Sequence, residues 1–180
     1  DAVSNKKYTF LAASLTEGGW SLIAVDENGK WQKGYKQIHG TPIHSIKVAA
    51  SDTEFFTIHD GLAWGEKVDK QNPNWVSNNY LAIAKYNIDS TQTVNFSNKE
   101  HFIKFGKYVH GPGAKDPRFK EGYSVAGAAF LKDNIYITSR HDQKLHTVNS
   151  KSGEFKSSIT VPKPGPLSTD GNRLFIVTDD

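Results

Sequence analysis

The chain has 180 residues, with 22 Lys and Arg against 19 Asp and Glu, and it contains neither Cys nor Met. A formal charge of +3 with a pI near 8.9 excludes a strong polybasic nucleic-acid footprint. The missing thiols exclude disulfides, thiolate zinc sites and Cys nucleophiles.

No apolar run approaches the roughly 20 residues of a membrane span. Without a Met, the chain is expected to be a processed product or a fragment, not one starting at its own start codon. Strand signals then run from the N-terminus onward. Tyr8–Ser14 and Trp20–Val25 are short, β-branched or aromatic, and bounded by Gly, Asp and Asn. With Lys30–Ile38 after the Asp26-Glu-Asn-Gly29 turn, they read as second, third and fourth strands of a unit whose first strand is missing. Pro42–Ala50 and Glu54–Ile58 follow, then a polar insertion, Leu62–Asn79, carrying Trp64 and Trp75. Tyr80–Ile88 and Thr93–Phe105 supply two outer strands, and Lys107–Glu121 is a second insertion, with Tyr108, His110 and Arg118. No segment sustains a capped helical period.

The segment from Val125 to Val161 has the clearest grammar. A small-residue strand leads to an Asp133-Asn134 turn and to a strand ending in polar residues. A third strand, the Asn149-Ser-Lys-Ser-Gly153 turn and a fourth strand follow, ending at Pro162. This is a four-stranded antiparallel meander of about 40 residues. Its first two strands recur at Ile46–Asp60 and again at Gly165–Asp179.

The rhythm resembles the blades of NHL, YVTN and quinoprotein-like β-propellers. The resemblance covers nearly the whole chain and implies an all-β fold of four-stranded antiparallel blades. The single propeller portion, 1–180, divides into segments of about 8–38, 42–106, 122–162 and 165–180. That makes about three and a half blades of a propeller of about six to eight. Another chain or a missing segment is expected to complete it; a small self-contained propeller or an open sandwich is the alternative.

Up-and-down blades send their second-to-third-strand loops and their inter-blade loops to one face. By that rule His39, His44, His59, His110 and His141 fall on or beside one face, with both insertions. Long loops on a rigid scaffold are where binding sites usually lie. His59-Asp60 and His141-Asp142 repeat in successive blades, which makes His59, Asp60 and Asp142 candidate ligands for a divalent metal, zinc or calcium. Solvated histidines and turn-capping aspartates give the same pattern without chemistry. His101 and His146, inside strands, read as packing or surface residues.

Trp64, Trp75 and His39 are candidates for holding a carbohydrate or other small polar ligand, since an aromatic face suits the C–H face of a sugar; anchoring the loop is the other role open to the tryptophans. The propellers resembled include polysaccharide lyases, quinoprotein dehydrogenases and lactonases. A lyase reading makes His110 or His141 the base, Arg140 or Arg118 the carboxylate clamp and Tyr108 the acid. A non-catalytic lectin-like or protein-docking propeller, or one piece of a multi-chain assembly, fits the same residues. A secreted or periplasmic location goes with the propellers resembled. Neither nucleic acid nor a membrane span is expected as a partner. Asn95-Phe-Ser97 matches a glycosylation sequon.

Overall fold

In a computed structural model, residues 2–14, 20–31, 37–38, 43–62, 79–91, 94–107, 125–140 and 142–178 are described. They form fourteen strands in four antiparallel sheets. The first sheet is β1 (Ala2–Ser4), β2 (Tyr8–Ser14), β3 (Trp20–Asp26) and β4 (Gln37–Ile38). The second is β5 (Ile43–Ala50), β6 (Glu54–Leu62), β7 (Asn79–Ile88) and β8 (Val94–Lys107). The third is β9 (Val125–Leu131), β10 (Asn134–Ser139), β11 (Lys144–Asn149) and β12 (Phe155–Thr160). A final pair, β13 (Pro164–Thr169) and β14 (Leu174–Thr178), has the place of a fourth blade's two inner strands.

Within every sheet the spatial order follows the chain, so each is a meander. The first strands pack side by side, β1 on β5, β5 on β9 and β9 on β13, which is the inner wall of a propeller. Two sequence expectations are corrected. The first blade does have its first strand, because β1 pairs with β2 through Val3 opposite Phe10. The second strand of the second blade does not stop at Ile58. β6 runs on through His59 and Asp60, whose backbones pair with Ile46 and Ser45 on one side and with Ala82 and Leu81 on the other.

The hairpins close by turn chemistry. Asp26 Oδ1 accepts the backbone N–H of Asn28 and of Lys30, both at 2.9 Å, while Gly29 takes φ +75°. Asn149 Oδ1 does the same for Lys151 and Ser152, ahead of Gly153. The β9–β10 turn is Lys132-Asp133, one residue earlier than the Asp-Asn signal, with both residues at positive φ. That backbone is the primed turn whose twist matches a two-residue hairpin.

Alternation along a strand places successive residues on opposite faces, and here each face belongs to a different seam. Toward the first blade, Val48, Phe55, Tyr86, Ile88 and Val94 meet Phe10, Ala12 and Ala24. The rings of Tyr8, Phe10, Phe55 and Tyr86 follow one another at centroid spacings of 5.1–6.4 Å. Toward the third blade, Ala49, Phe56, Ile58 and Ile83 meet Val125, Ala128, Ile135, Ile137 and Val148, with Phe56 stacked on Phe130. Each fully buried Phe or Ile contributes about 1.5–3 kcal/mol through burial of apolar area.

The seam between β9 and β13 is tighter than side chains allow. A Cβ added to Gly127 would lie 2.4 Å from the backbone N of Leu167 and 2.9 Å from Pro166. Beside it, the buried Thr138 hydroxyl donates to the Gly165 carbonyl at 2.6 Å, tying β10 to the next blade.

Candidate functional site

The C-terminal ends of β6 and β10 and the N-terminal ends of β5, β7, β9, β11 and β13 lie on one propeller face. Residues 63–78 and 108–124 link β6 to β7 and β8 to β9. Trp64, Trp75, Tyr108, His110 and Arg118 therefore lie outside the described residues, as do His39 and His141. His59 and Asp60 are placed by their backbone alone, in β6.

The described part of this face is the β10–β11 connection. Arg140 leaves β10 exposed to solvent. Gln143, at φ +53°, turns the chain into β11, and its carbonyl accepts the Val161 N–H at 2.9 Å, fastening the loop to the end of β12. Between them, Asp142 Oδ2 lies 2.9 Å from Nε2 of His146. His146 is buried in β11, across from Ile137 on β10 and Ser158 on β12, with the Phe155 ring against it at 5.9 Å.

Burial dominates the electrostatics of this pair and pushes the His146 imidazole below its ordinary value. The Asp142 carboxylate pulls it back up by charge and hydrogen bonding, and Lys144 adds a smaller push down. The imidazole is thus neutral near pH 7, and its Nε2 faces the Asp142 carboxylate. The other carboxylate oxygen, Asp142 Oδ1, is shut off from solvent with no hydrogen-bond partner among the described residues. A buried acceptor left so costs about 1–3 kcal/mol, and a donor or cation placed against it recovers that energy.

His146 is the residue that sequence reasoning missed. Its strand position and burial follow its reading as a packing residue, but the carboxylate four positions earlier gives it a second role, orienting Asp142. The signal was a His alternating with apolar Val148 just past a His-Asp pair. Among the described residues, no three His, Asp or Glu side chains gather as a metal set. Of the proposed ligands, only the Asp142 side chain is described, and it is engaged by His146.

Three successive four-stranded meanders with adjoining inner strands define a β-propeller fold, and a half-blade follows them. Solved structures share it. A luciferin-regenerating enzyme aligns with 99% of this chain and 52% of its own, at 12% identity and TM-score 0.58. Glutaminyl cyclase of Myxococcus xanthus aligns with 98% of this chain and 60% of its own, at 7% identity and TM-score 0.50. The β-propeller domain of Myceliophteria thermophila Cps50 (Swd1) aligns with 97% of this chain and 51% of its own, at 11% identity and TM-score 0.46. The chain therefore spans about half to three fifths of the structures it matches. No protein-family model matches the sequence, and no curated protein is similar to it in sequence. Among the described residues, no helix is long and apolar enough to cross a membrane.

Proposed function

We propose that the chain is part of a propeller that binds a polar ligand, a carbohydrate first, on the face where the β10–β11 connection and both insertions open. The observation that carries this reading is Asp142. Its carboxylate is held by His146 at 2.9 Å, and its second oxygen is buried with no hydrogen-bond partner among the described residues. Uncovering that oxygen to a ligand hydroxyl would supply the donor it lacks. Trp64, Trp75 and His39 are the proposed stacking and contact residues.

The test is binding to a panel of neutral and acidic oligosaccharides by wild type, Asp142→Asn, Trp64→Ala and Trp75→Ala. Binding should fall at least tenfold in Asp142→Asn and in one of the two Trp variants. Equal binding in all four proteins sinks the proposal.

A second reading takes the same oxygen as a ligand for zinc or calcium, with His59 and Asp60 as its companions, in a metal-assisted lyase. There His110 or His141 removes a proton beside a uronic carboxylate, Arg140 or Arg118 neutralises that carboxylate, and Tyr108 protonates the leaving oxygen. Matched proteins named as enzymes make catalysis compatible with the fold without specifying it. Calorimetric titration with each metal, together with the ultraviolet absorbance of an unsaturated uronate product, decides it. Heat or absorbance unchanged from buffer removes this reading. The protein is placed, on the same proposal, outside the cytoplasm, secreted or periplasmic.

A further inference from the structure

Charge is divided unevenly between the two ends of the blades. Among the described residues, the exposed Lys and Arg side chains that form ion pairs do so at the turns of the face away from the β10–β11 connection. Lys6 meets Asp52 at 2.7 Å, from the β1–β2 turn to the β5–β6 turn. Lys151 meets Asp133 at 3.2 Å, from the β11–β12 turn to the β9–β10 turn. Arg173 meets Asp170 at 3.0 Å within the β13–β14 turn. The less exposed pair of Lys85 with Glu54 uses the first residue of β6, beside the same face.

The candidate site's end of the third blade is different. Arg140 follows β10, Lys144 begins β11, and Lys163 stands between β12 and β13. The backbone brings these cations together. Lys144 is paired with Ser139, the residue before Arg140, on one side and with Thr160 on the other. The 2.9 Å bond from the Val161 N–H to the Gln143 carbonyl ties the segment carrying Lys163 to the same loop. Arg140 and Lys163 are exposed, and Lys144 is half-buried, close enough to His146 to push its pKa down. The carboxylate set among them is Asp142, and it faces His146. Neither Lys144 nor Lys163 has a carboxylate partner among the described residues. The third blade has all four of its strands, and a further blade would stack on a blade's flat side, not on its loop end.

Scattered lysines are ordinary on a protein surface. Here the paired ones gather on one face, while the unpaired ones stand beside a carboxylate with a buried, unpartnered oxygen. Like charges set together repel, and an anion among them relieves that repulsion. We propose that the ligand of this face is an acidic saccharide, a chain of uronate residues, whose carboxylate is held by Lys144, Lys163 and Arg140 while a ring hydroxyl reaches Asp142. A sugar acid carries both groups that the surface asks for, a carboxylate to accept from the cations and a hydroxyl to donate to Asp142. A neutral sugar leaves the cations without an anion. A polyanion lacking hydroxyls offers Asp142 only repulsion, so the carboxylate also selects against it. This inference rests on reading Asp142 as a ligand contact and adds the charge of the ligand to that reading.

The test is calorimetric titration with an oligogalacturonate, with its methyl ester, which is the same chain without charge, and with polyglutamate, a polyanion without hydroxyls. The oligogalacturonate should bind at least about tenfold tighter than its ester. Lys144→Gln and Lys163→Gln should each weaken oligogalacturonate binding about two- to tenfold and narrow that preference, with Lys163→Arg close to wild type. Lys132→Gln, in the β9–β10 turn on the other face, should bind as wild type does. Circular dichroism like wild type in each variant excludes misfolding. Acid and ester bound equally, or a preference that survives both Lys→Gln variants, overturns the inference and leaves saccharide binding in place. Polyglutamate bound as tightly as the uronate chain overturns it as well, since any polyanion would then do. Wild type that binds neither saccharide removes the inference and the reading beneath it together.

Discussion

Gly127→Ala tests the tightest seam in the molecule. Gly127 is not at positive φ, so any cost comes from space and not from conformation. The new methyl would sit 2.4 Å from the Leu167 N and 2.9 Å from two Pro166 backbone atoms. Backbone cannot rotate aside as a side chain does, so β13 must move off β9. Overpacking of this kind costs about 1–3 kcal/mol. Moving β13 also stretches the 2.6 Å bond from Thr138 to the Gly165 carbonyl, worth about 1 kcal/mol. Against this, alanine stiffens the unfolded chain and returns about 0.4–1 kcal/mol. The net loss is about 1–3.5 kcal/mol, or about 2–14 °C in Tm at the 2–4 °C per kcal/mol typical of this length. Urea denaturation followed by Trp fluorescence measures it, with Thr138→Val as companion at about 1 kcal/mol. The double variant should lose less than the sum, since both substitutions loosen one contact. A Gly127→Ala protein within about 0.5 kcal/mol of wild type, or strict additivity, refutes the argument.

Three further outcomes are expected. His146 has a folded pKa below its ordinary 6.5, so the unfolded chain binds its proton first. Stability from this group is therefore complete above about pH 6.5 and declines as pH falls through that value toward the folded pKa; His146→Gln, which keeps a donor for Asp142, should flatten that part of a urea-midpoint-versus-pH curve. Gly171 sits at φ +88° with nothing near its missing Cβ, so Gly171→Ala should cost about 1–2 kcal/mol by backbone strain alone, and a neutral result in urea denaturation would contradict it. Phe55→Ala should cost about 3–5 kcal/mol and speed amide exchange in β2 more than in β10, because its ring packs on Phe10 and not on the third blade; equal acceleration in both would be counter-evidence.

What the sequence disclosed depended on whether a local rule applied. Turns with Asp or Asn followed by Gly announced three hairpins, and alternation announced most of the strands between them. The inner strand β1 was missed because three residues, Ala2-Val-Ser4, are too few to show a period and carry one large apolar side chain. His59 and Asp60 read as loop because they are polar. Pairing on both sides, with β5 and β7, overrides that preference, as tertiary context does in sheets. At the site, Arg140 and Asp142 were singled out, but the role of His146 was not. It depends on a glutamine at positive φ, which no spacing rule marks and which brings Asp142 back over β11.

The division of β6 between two seams has a consequence for how this sheet is assembled. One set, Phe55 and Thr57 with the Tyr86 phenol, includes a buried hydroxyl pair: Thr57 hydrogen-bonds Tyr86, whose burial raises its pKa. The other set, Phe56, Ile58 and Ile83, is wholly apolar. A slip of β6 by one residue would exchange the sets, carrying Thr57 into the aliphatic seam and parting it from Tyr86. A strand with one solvated face is corrected by a single core when it mispairs. Here two neighbours reject the same error, so the second blade acts as a proofreader of alignment for the blades on either side.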